Sequence, residues 1–153
     1  FALLLTFHCV EYLFHRFVLH SEHKWLTVAS KAHNQHHNNF HKDHYFFSEK
    51  SRIDKLLLSF SSILIFLIVL AAPISFAISI LTGDAVCFYV SLSAFATYLC
   101  IYEVCHYQLH KALINKNKAS DWVEHHVRHH NSPETNYGVL SSWLDVLFRT
   151  KRS

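Results

Sequence analysis

Methionine is absent from this 153-residue chain, and glycine and proline occur only twice each. Without an initiator residue the chain is expected to be an N-terminally truncated piece of a longer protein. Any earlier helix, targeting signal or fused electron-transfer domain would lie outside it. The four cysteines, Cys9, Cys87, Cys100 and Cys105, form no C-x-x-C pair. That favours buried free thiols over disulfides or zinc knuckles. Excess charge is also scarce: 14 Lys and Arg against 11 Asp and Glu leave +3. Such a balance suits anionic lipid headgroups and argues against nucleic acid as a partner. Solenoid repeats are missing as well.

Apolar sequence is abundant instead. The chain is 51% hydrophobic and 15% aromatic, unusual for a water-soluble fold, and its length suits a single domain spanning 1–153. Leu56 to Leu81 carries no charged side chain over 26 residues, and Ala85 to Tyr102 is a second uncharged run of 18. As helices both are long enough, or nearly so, to cross a hydrocarbon core of roughly 30 Å. Only a short turn at Gly83-Asp84 separates them, which predicts a transmembrane hairpin over about 56–105, with Pro73 kinking its first helix. Every Lys and Arg lies before Leu56 or after His110. By the positive-inside rule both flanks face the cytoplasm. Phe1 to Val10 reads as the exit half of a further apolar helix.

Of 15 histidines, ten sit in four short boxes: His15-Arg-Phe-Val-Leu-His20, His33-Asn-Gln-His36-His37, His106-Tyr-Gln-Leu-His110 and His126-Val-Arg-His129-His130. Neutral imidazole is the commonest metal-binding side chain, so this density predicts a buried metal site. Residues four apart on an α-helix differ by about 40°, so His106 and His110 can grip one ion. In His-x-x-His-His the outer pair shares a face while the adjacent pair diverges by roughly 100°, so one box can feed two ions. His15 and His20, five apart, serve one ion only if the helix ends or bends between them. Ten imidazoles exceed the ligands one transition metal accepts and favour two metals at about five nitrogens each.

The remaining segments read as helices around this hairpin. Glu11 to Trp25 is one, Ser30 to Phe40 another with Ser30 as N-cap, and Val86 to His110 a long one leaving the membrane near Glu103. Ser48–Lys55 and Lys111–Lys118 are polar, basic connections. Asp121 caps the helix of the fourth box, which Asn131-Ser-Pro133 ends. The tail from Tyr137 to Thr150 has apolar residues at roughly helical spacing and packs beneath the site or lies on the bilayer. Glu11 and Glu103 are placed either to accept a ring N–H from His15 and His106 or to stand as surface acids. His8, His23, His41, His44 and His125 are read as non-ligands.

Glu11-Tyr-Leu-Phe-His15-Arg16, the four boxes and Asn136-Tyr137-Gly138 occur in an order that resembles the fatty acid hydroxylase and sterol desaturase superfamily, most closely its fatty acid hydroxylase branch. The closing Trp-Asp-x-x-Phe-Gly-Thr element of that superfamily is here Trp143-Leu-Asp145-Val-Leu-Phe148-Arg149-Thr150. Its tryptophan is displaced by one, and arginine stands in place of glycine. The resemblance implies an all-α integral membrane helical bundle with a cytosolic histidine-rich helical cap. It also implies a di-iron centre, with zinc as a possible occupant, held by His15, His20, His33, His36, His37, His106, His110, His126, His129 and His130. The implied activity is a lipid hydroxylase using dioxygen and an electron donor such as cytochrome b5 or a ferredoxin with its reductase. The implied location is the endoplasmic reticulum or a bacterial inner membrane.

Zinc cannot generate the oxidant that an unactivated C–H bond demands, whereas two irons with dioxygen can. An acyl chain is expected in an apolar slot lined by Phe46, Phe47, Phe60 or Tyr107. Three other readings stand beside the hydroxylase: a desaturase with the same metals, a membrane metal-binding or transport protein, and an inactive paralogue. A transporter should place ionisable ligands near the membrane midplane, and Leu56 to Leu81 has no histidine.

Overall fold

The computed structural model describes residues 2–40, 56–114 and 120–152, and all regular structure among them is helical. Helix α1 (Ala2–Phe14) runs straight into a π-helical turn, His15–Leu19. A short 3₁₀ turn, Lys24–Leu26, leads into α2 (Thr27–Asn39). Helices α3 (Phe60–Ile65) and α4 (Ala72–Thr82) flank a second π-helical turn, Phe66–Ala71. Then come α5 (Val86–Ile114), α6 (Asp121–Asn131) and the short α7 (Trp143–Leu147). Helix α5 continues through the first four residues of the connection expected over Lys111–Lys118; the rest of it, the connection 48–55, His41, His44, Phe46 and Phe47 lie outside the described residues.

Two segments are long and apolar enough to cross a membrane: Phe60–Thr82 and Val86–Lys111. The hairpin therefore begins four residues later than Leu56. Ser59 sets the boundary, because its backbone is extended and its hydroxyl accepts the Ser62 N–H, capping the helix. At the other end Gly83 takes a left-handed conformation (φ 69°) that closes α4, and Asp84 Oδ1 accepts the Val86 N–H at 2.8 Å to open α5. Pro73 sits in the first turn of α4, directly after the π turn. A proline ring collides with the carbonyl four residues back, and widening the helix just before it is one way to make room.

The outside of this hairpin is inverted relative to a water-soluble fold. Ile68, Phe76, Ile80, Tyr89 and Val90 are all exposed. Inside, Phe66 packs on Phe14 (ring centroids 5.3 Å), and Phe7 packs edge-on against Phe95 (4.8 Å). In lipid such contacts hold through close packing rather than exclusion of water. They draw α1 alongside α5, so both helices climb together toward the end where the histidines lie.

Several expected boundaries move. The helix expected over Glu11 to Trp25 starts at Ala2 instead and ends at His20, where the π turn closes. Helix α2 starts at Thr27, so Ser30 is a buried interior residue rather than its cap. The preceding 3₁₀ turn, begun by His23 accepting the Trp25 N–H, already supplies the first turn. Ser120, not Asp121, caps α6, with its hydroxyl toward the Val123 N–H. Within the tail only Trp143–Leu147 is helical. Tyr137 to Leu140 instead spends its backbone groups on buried carboxylates.

Candidate metal centre

All ten boxed histidines converge, in two groups of five. His15, His20, His33, His37 and His129 form one; His36, His106, His110, His126 and His130 form the other. Within each group the potential ligand atoms lie within 4.8 Å of one another. Helical period explains the division. On α2, His33 and His37 share a face and feed the first group, while His36 turns to the second. On α6, His126 and His130 feed the second group and His129 the first. The pair on α5, one turn apart, stays together in the second.

The π turn resolves the five-residue step of the first box. Its His20 N–H bonds to the His15 carbonyl (3.2 Å), an i to i+5 closure that stacks residue 20 over residue 15. Both rings then approach His33, with Nε2 to Nε2 distances of 3.0 Å from His15 and 3.1 Å from His20. The chain leaves the helix at His20, so it ends there as well as widening.

Nitrogen spacing tests whether a metal fits. Two nitrogens about 2.1 Å from a common ion stand about 2.9 Å apart at a right angle and about 3.4 Å apart at the tetrahedral angle. Besides the His15 and His20 contacts to His33, Nε2 pairs of the first group measure 3.1 Å for His33 with His37 and 3.2 Å for His20 with His129. In the second group, His126 lies 3.0 Å from His110, His130 lies 3.1 Å from His126, and His106 lies 3.3 Å from His110. Mutual hydrogen bonding does not account for this crowding, because a neutral imidazole has one N–H. His15 gives its own to the Tyr137 carbonyl and His129 to the Thr135 carbonyl, both from Nδ1. Their Nε2 lone pairs are left facing the group, as a ligand's should be.

Electrostatics keep these rings neutral. Burial lowers His20 to about 4, and burial followed by the nearby His20 imidazole lowers His129 to about 3, from an ordinary value of 6.5. Burial likewise leads the downward shifts of His15, His33, His37, His126 and His130. At neutral pH each offers a lone pair without first having to lose a proton.

His125 stays outside both groups and meets Asp145 at 3.2 Å, which separates it from His126 in the His-His-x-x-His-His run. His8 meets the Tyr98 hydroxyl at 3.0 Å, and His23 is an exposed cap. Neither acid beside the boxes receives a ring N–H. Glu103 accepts the Leu58 N–H at 3.1 Å. Glu11 accepts the Val139 and Leu140 N–H groups at 2.7 and 3.0 Å and the Tyr98 hydroxyl. It therefore anchors the loop whose Tyr137 carbonyl holds His15.

Sequence reasoning overlooked the other anchor of that loop. Asp145, fully buried, accepts the Tyr137 and Gly138 N–H groups at 2.8 Å each and the Thr150 hydroxyl at 2.7 Å. Burial pushes its carboxyl up, but the bonds from His125, Thr150, Gly138 and Tyr137 outweigh this and leave it below the ordinary range. Gly138 admits the close approach: a Cβ there would stand 2.0 Å from the Ser141 carbonyl oxygen and 2.9 Å from Asp145 Oδ2. The signal was present in Asn136-Tyr137-Gly138 and in the aspartate seven residues on.

A small apolar pocket of about 20 Å³ adjoins His15, bounded by Phe14, Leu58, Phe66, Leu99 and Tyr102. Phe60 and Tyr107, the describable residues expected to line a substrate slot, are not among its walls, and Phe60 is 75% exposed. The pocket has about the room of one water molecule. Tyr102 stacks on His106 (5.6 Å), and its buried hydroxyl has no hydrogen-bond partner among the described residues.

No curated protein and no solved structure matches this chain. Residues 1–150 match the family model for fatty acid hydroxylases, nearly the whole length. With that match and its histidines gathered beside two apolar, membrane-length helices, the chain belongs to the fatty acid hydroxylase family.

Proposed function

We propose that the protein is a membrane lipid hydroxylase that holds two iron ions, one in each group of five imidazoles. The observation that carries this reading is the pair of all-histidine groups, whose nitrogen spacings fit a shared ion and whose rings are neutral. All-nitrogen ligation suits iron, copper or zinc, and of these iron with dioxygen oxidises unactivated C–H bonds. When bound, the metals would supply that redox chemistry. Overall, R–H, dioxygen, two electrons and two protons give R–OH and water, the electrons coming from an external donor.

The chain's own residues position and exclude. His15 and His129 are oriented by the Tyr137 and Thr135 carbonyls, so their Nε2 atoms need no reorganisation on binding an ion. Phe14, Phe66 and Leu99 wall the apolar pocket beside His15 and would press an acyl chain toward the centre. That pocket must widen to admit a chain, and two of its walls lie outside regular α-helix: Phe66 in a π turn and Leu58 in the chain before α3. Tyr102, on the same wall, has a hydroxyl available to hold a polar group of the substrate. By the positive-inside rule, the basic residues flanking the apolar spans support a cytoplasmic histidine end, in the endoplasmic reticulum or a bacterial inner membrane.

Desaturation with the same metals is the second reading, since it differs only in where a second hydrogen lies. Metal transport is disfavoured because both groups sit at one end of the helices rather than at mid-membrane. The test is metal analysis of protein purified anaerobically in detergent, followed by lipid product analysis under isotopically labelled dioxygen. About two irons per chain and one labelled oxygen in the lipid product are expected. Metal bound with an unlabelled, newly unsaturated product would favour the desaturase, and metal without any lipid product would overturn both.

A further inference from the structure

Where α7 crosses α1, an apolar groove of about 350 Å³ opens on the outside of the bundle. Its size falls within the range of about 300–1,000 Å³ common for small-molecule sites. Leu5 and Leu13 of α1 form one wall, and Trp143, Leu147 and Phe148 form the other; no carboxylate lines it. Its depth in a bilayer follows from the neighbours of α1. Phe7 packs on Phe95 and Tyr98, at 4.8 and 4.9 Å between ring centroids, and both lie inside the apolar span Val86–Lys111. The groove therefore begins beside a membrane-length helix and runs toward the histidine end. All five wall residues are exposed. In water such a patch is a liability, whereas against acyl chains it is matched.

Two arginines flank the end of the groove, Arg16 by its contact with Tyr12 and Arg149 by its place in the chain after Phe148. There Tyr12 stacks on Phe148 (5.3 Å), and its hydroxyl is bonded to that of Thr150 (2.9 Å). Arg16 donates to the same Tyr12 hydroxyl (3.0 Å), and Arg149, exposed, links Phe148 to Thr150. Guanidinium groups bind phosphate oxygens through paired N–H donors. Lys151 and Arg152, also exposed, extend the positive charge along the chain. Trp143 is an aromatic of the kind that gathers where hydrocarbon gives way to headgroups.

We infer that the groove between α1 and α7 seats one acyl chain of an anionic bilayer phospholipid, whose phosphate headgroup rests on Arg16 and Arg149. The seat requires α1 and α5 to lie in a bilayer but does not depend on the oxygenase chemistry. Because α7 also carries Asp145, the lipid would brace the element that holds the Tyr137–Gly138 loop.

Native mass spectrometry of the full chain, released from detergent with phosphatidylglycerol or phosphatidylcholine of identical acyl composition, tests this directly. The expected result is one phosphatidylglycerol retained per chain in preference to phosphatidylcholine. Arg149→Asn removes the charge while tolerating the left-handed backbone at that position, and retention should fall about fivefold. Arg149→Lys should restore most of it. Leu147→Gln, at an exposed position, should reduce retention of both lipids. Equal retention of the two lipids, or phosphatidylglycerol retention unchanged in both Arg149→Asn and Leu147→Gln, would overturn the proposal. So would lipid-free dimers abolished by Leu147→Gln, which would make the groove a protein contact. Metal content, unaltered in all three variants, separates this outcome from failure of the hydroxylase reading.

Discussion

On the proposed reading, single residues divide into those that would offer a nitrogen to a metal and those that aim them. His126 and His129 stand three residues apart on one short helix, yet they serve different groups. His129→Ala should remove metal from the first group and His126→Ala from the second. Each is expected to lower bound metal to roughly half, and the pair to abolish it, as read by elemental analysis. Loss of all metal in either single variant would mean that the two groups bind as one unit. Arg149 presents a different residue-scale question, because it holds a left-handed backbone (φ 56°) where the family element has glycine. A side chain there costs about 1–2 kcal/mol, and glycine returns about 0.5–1 kcal/mol of that through its freer unfolded chain. Arg149→Gly should thus stabilise the protein by about 0.5–1 kcal/mol, visible as a higher midpoint in thermal unfolding.

At the scale of elements, the loop Asn136–Leu140 matters more than its lack of regular structure suggests. Two buried carboxylates, Glu11 from α1 and Asp145 from α7, hold its successive N–H groups, and Trp122 of α6 donates to the Val139 carbonyl at 2.6 Å. Its carbonyls in turn take the ring protons of His15 and, through neighbouring Thr135, of His129. Gly138→Ala places a methyl group inside the Ser141 carbonyl and should destabilise the protein by about 2–3 kcal/mol. Asp145→Asn keeps the shape but weakens charge-assisted bonds, at about 1–3 kcal/mol. Metal affinity should fall in both, more in Gly138→Ala, measured by competition with a chelator. Affinity unchanged in Gly138→Ala would show that the loop does not aim His15.

Across the whole molecule, gathering neutral histidines at one end makes folding depend on protons and metal together. For metal-free protein the sign is fixed by the direction of the shifts. His20 and His129 titrate near 4 and 3 when folded but near 6.5 when unfolded, so the unfolded chain binds protons first as pH falls. Their contribution is complete above about pH 6.5 and is lost progressively as pH drops through 4 toward 3. The unfolding midpoint of chelator-treated protein should decline across that window, and metal should raise it most at neutral pH. A flat profile from pH 7 to pH 4 in the metal-free protein would contradict the burial of these rings.

Composition and spacing by themselves determined the helical character, the paired apolar spans and the identity of the ten converging histidines. Those properties are local: an uncharged run measures its own length, and residues three, four or seven apart on a helix share a face whatever surrounds them. The 2:1 split of the boxes on α2 and α6 was legible for the same reason. Tertiary structure alone decided the rest. Whether His15 and His20 could serve one group depended on a π turn, a choice between two hydrogen-bond registers that differ little in local preference. Whether Glu11 would reach His15 or a loop 128 residues away depended on how α1 docks against α5 and α7. Asp145 became a keystone only because folding buried it beneath unpaired N–H groups, and no sequence period records which distant backbone a carboxylate will meet.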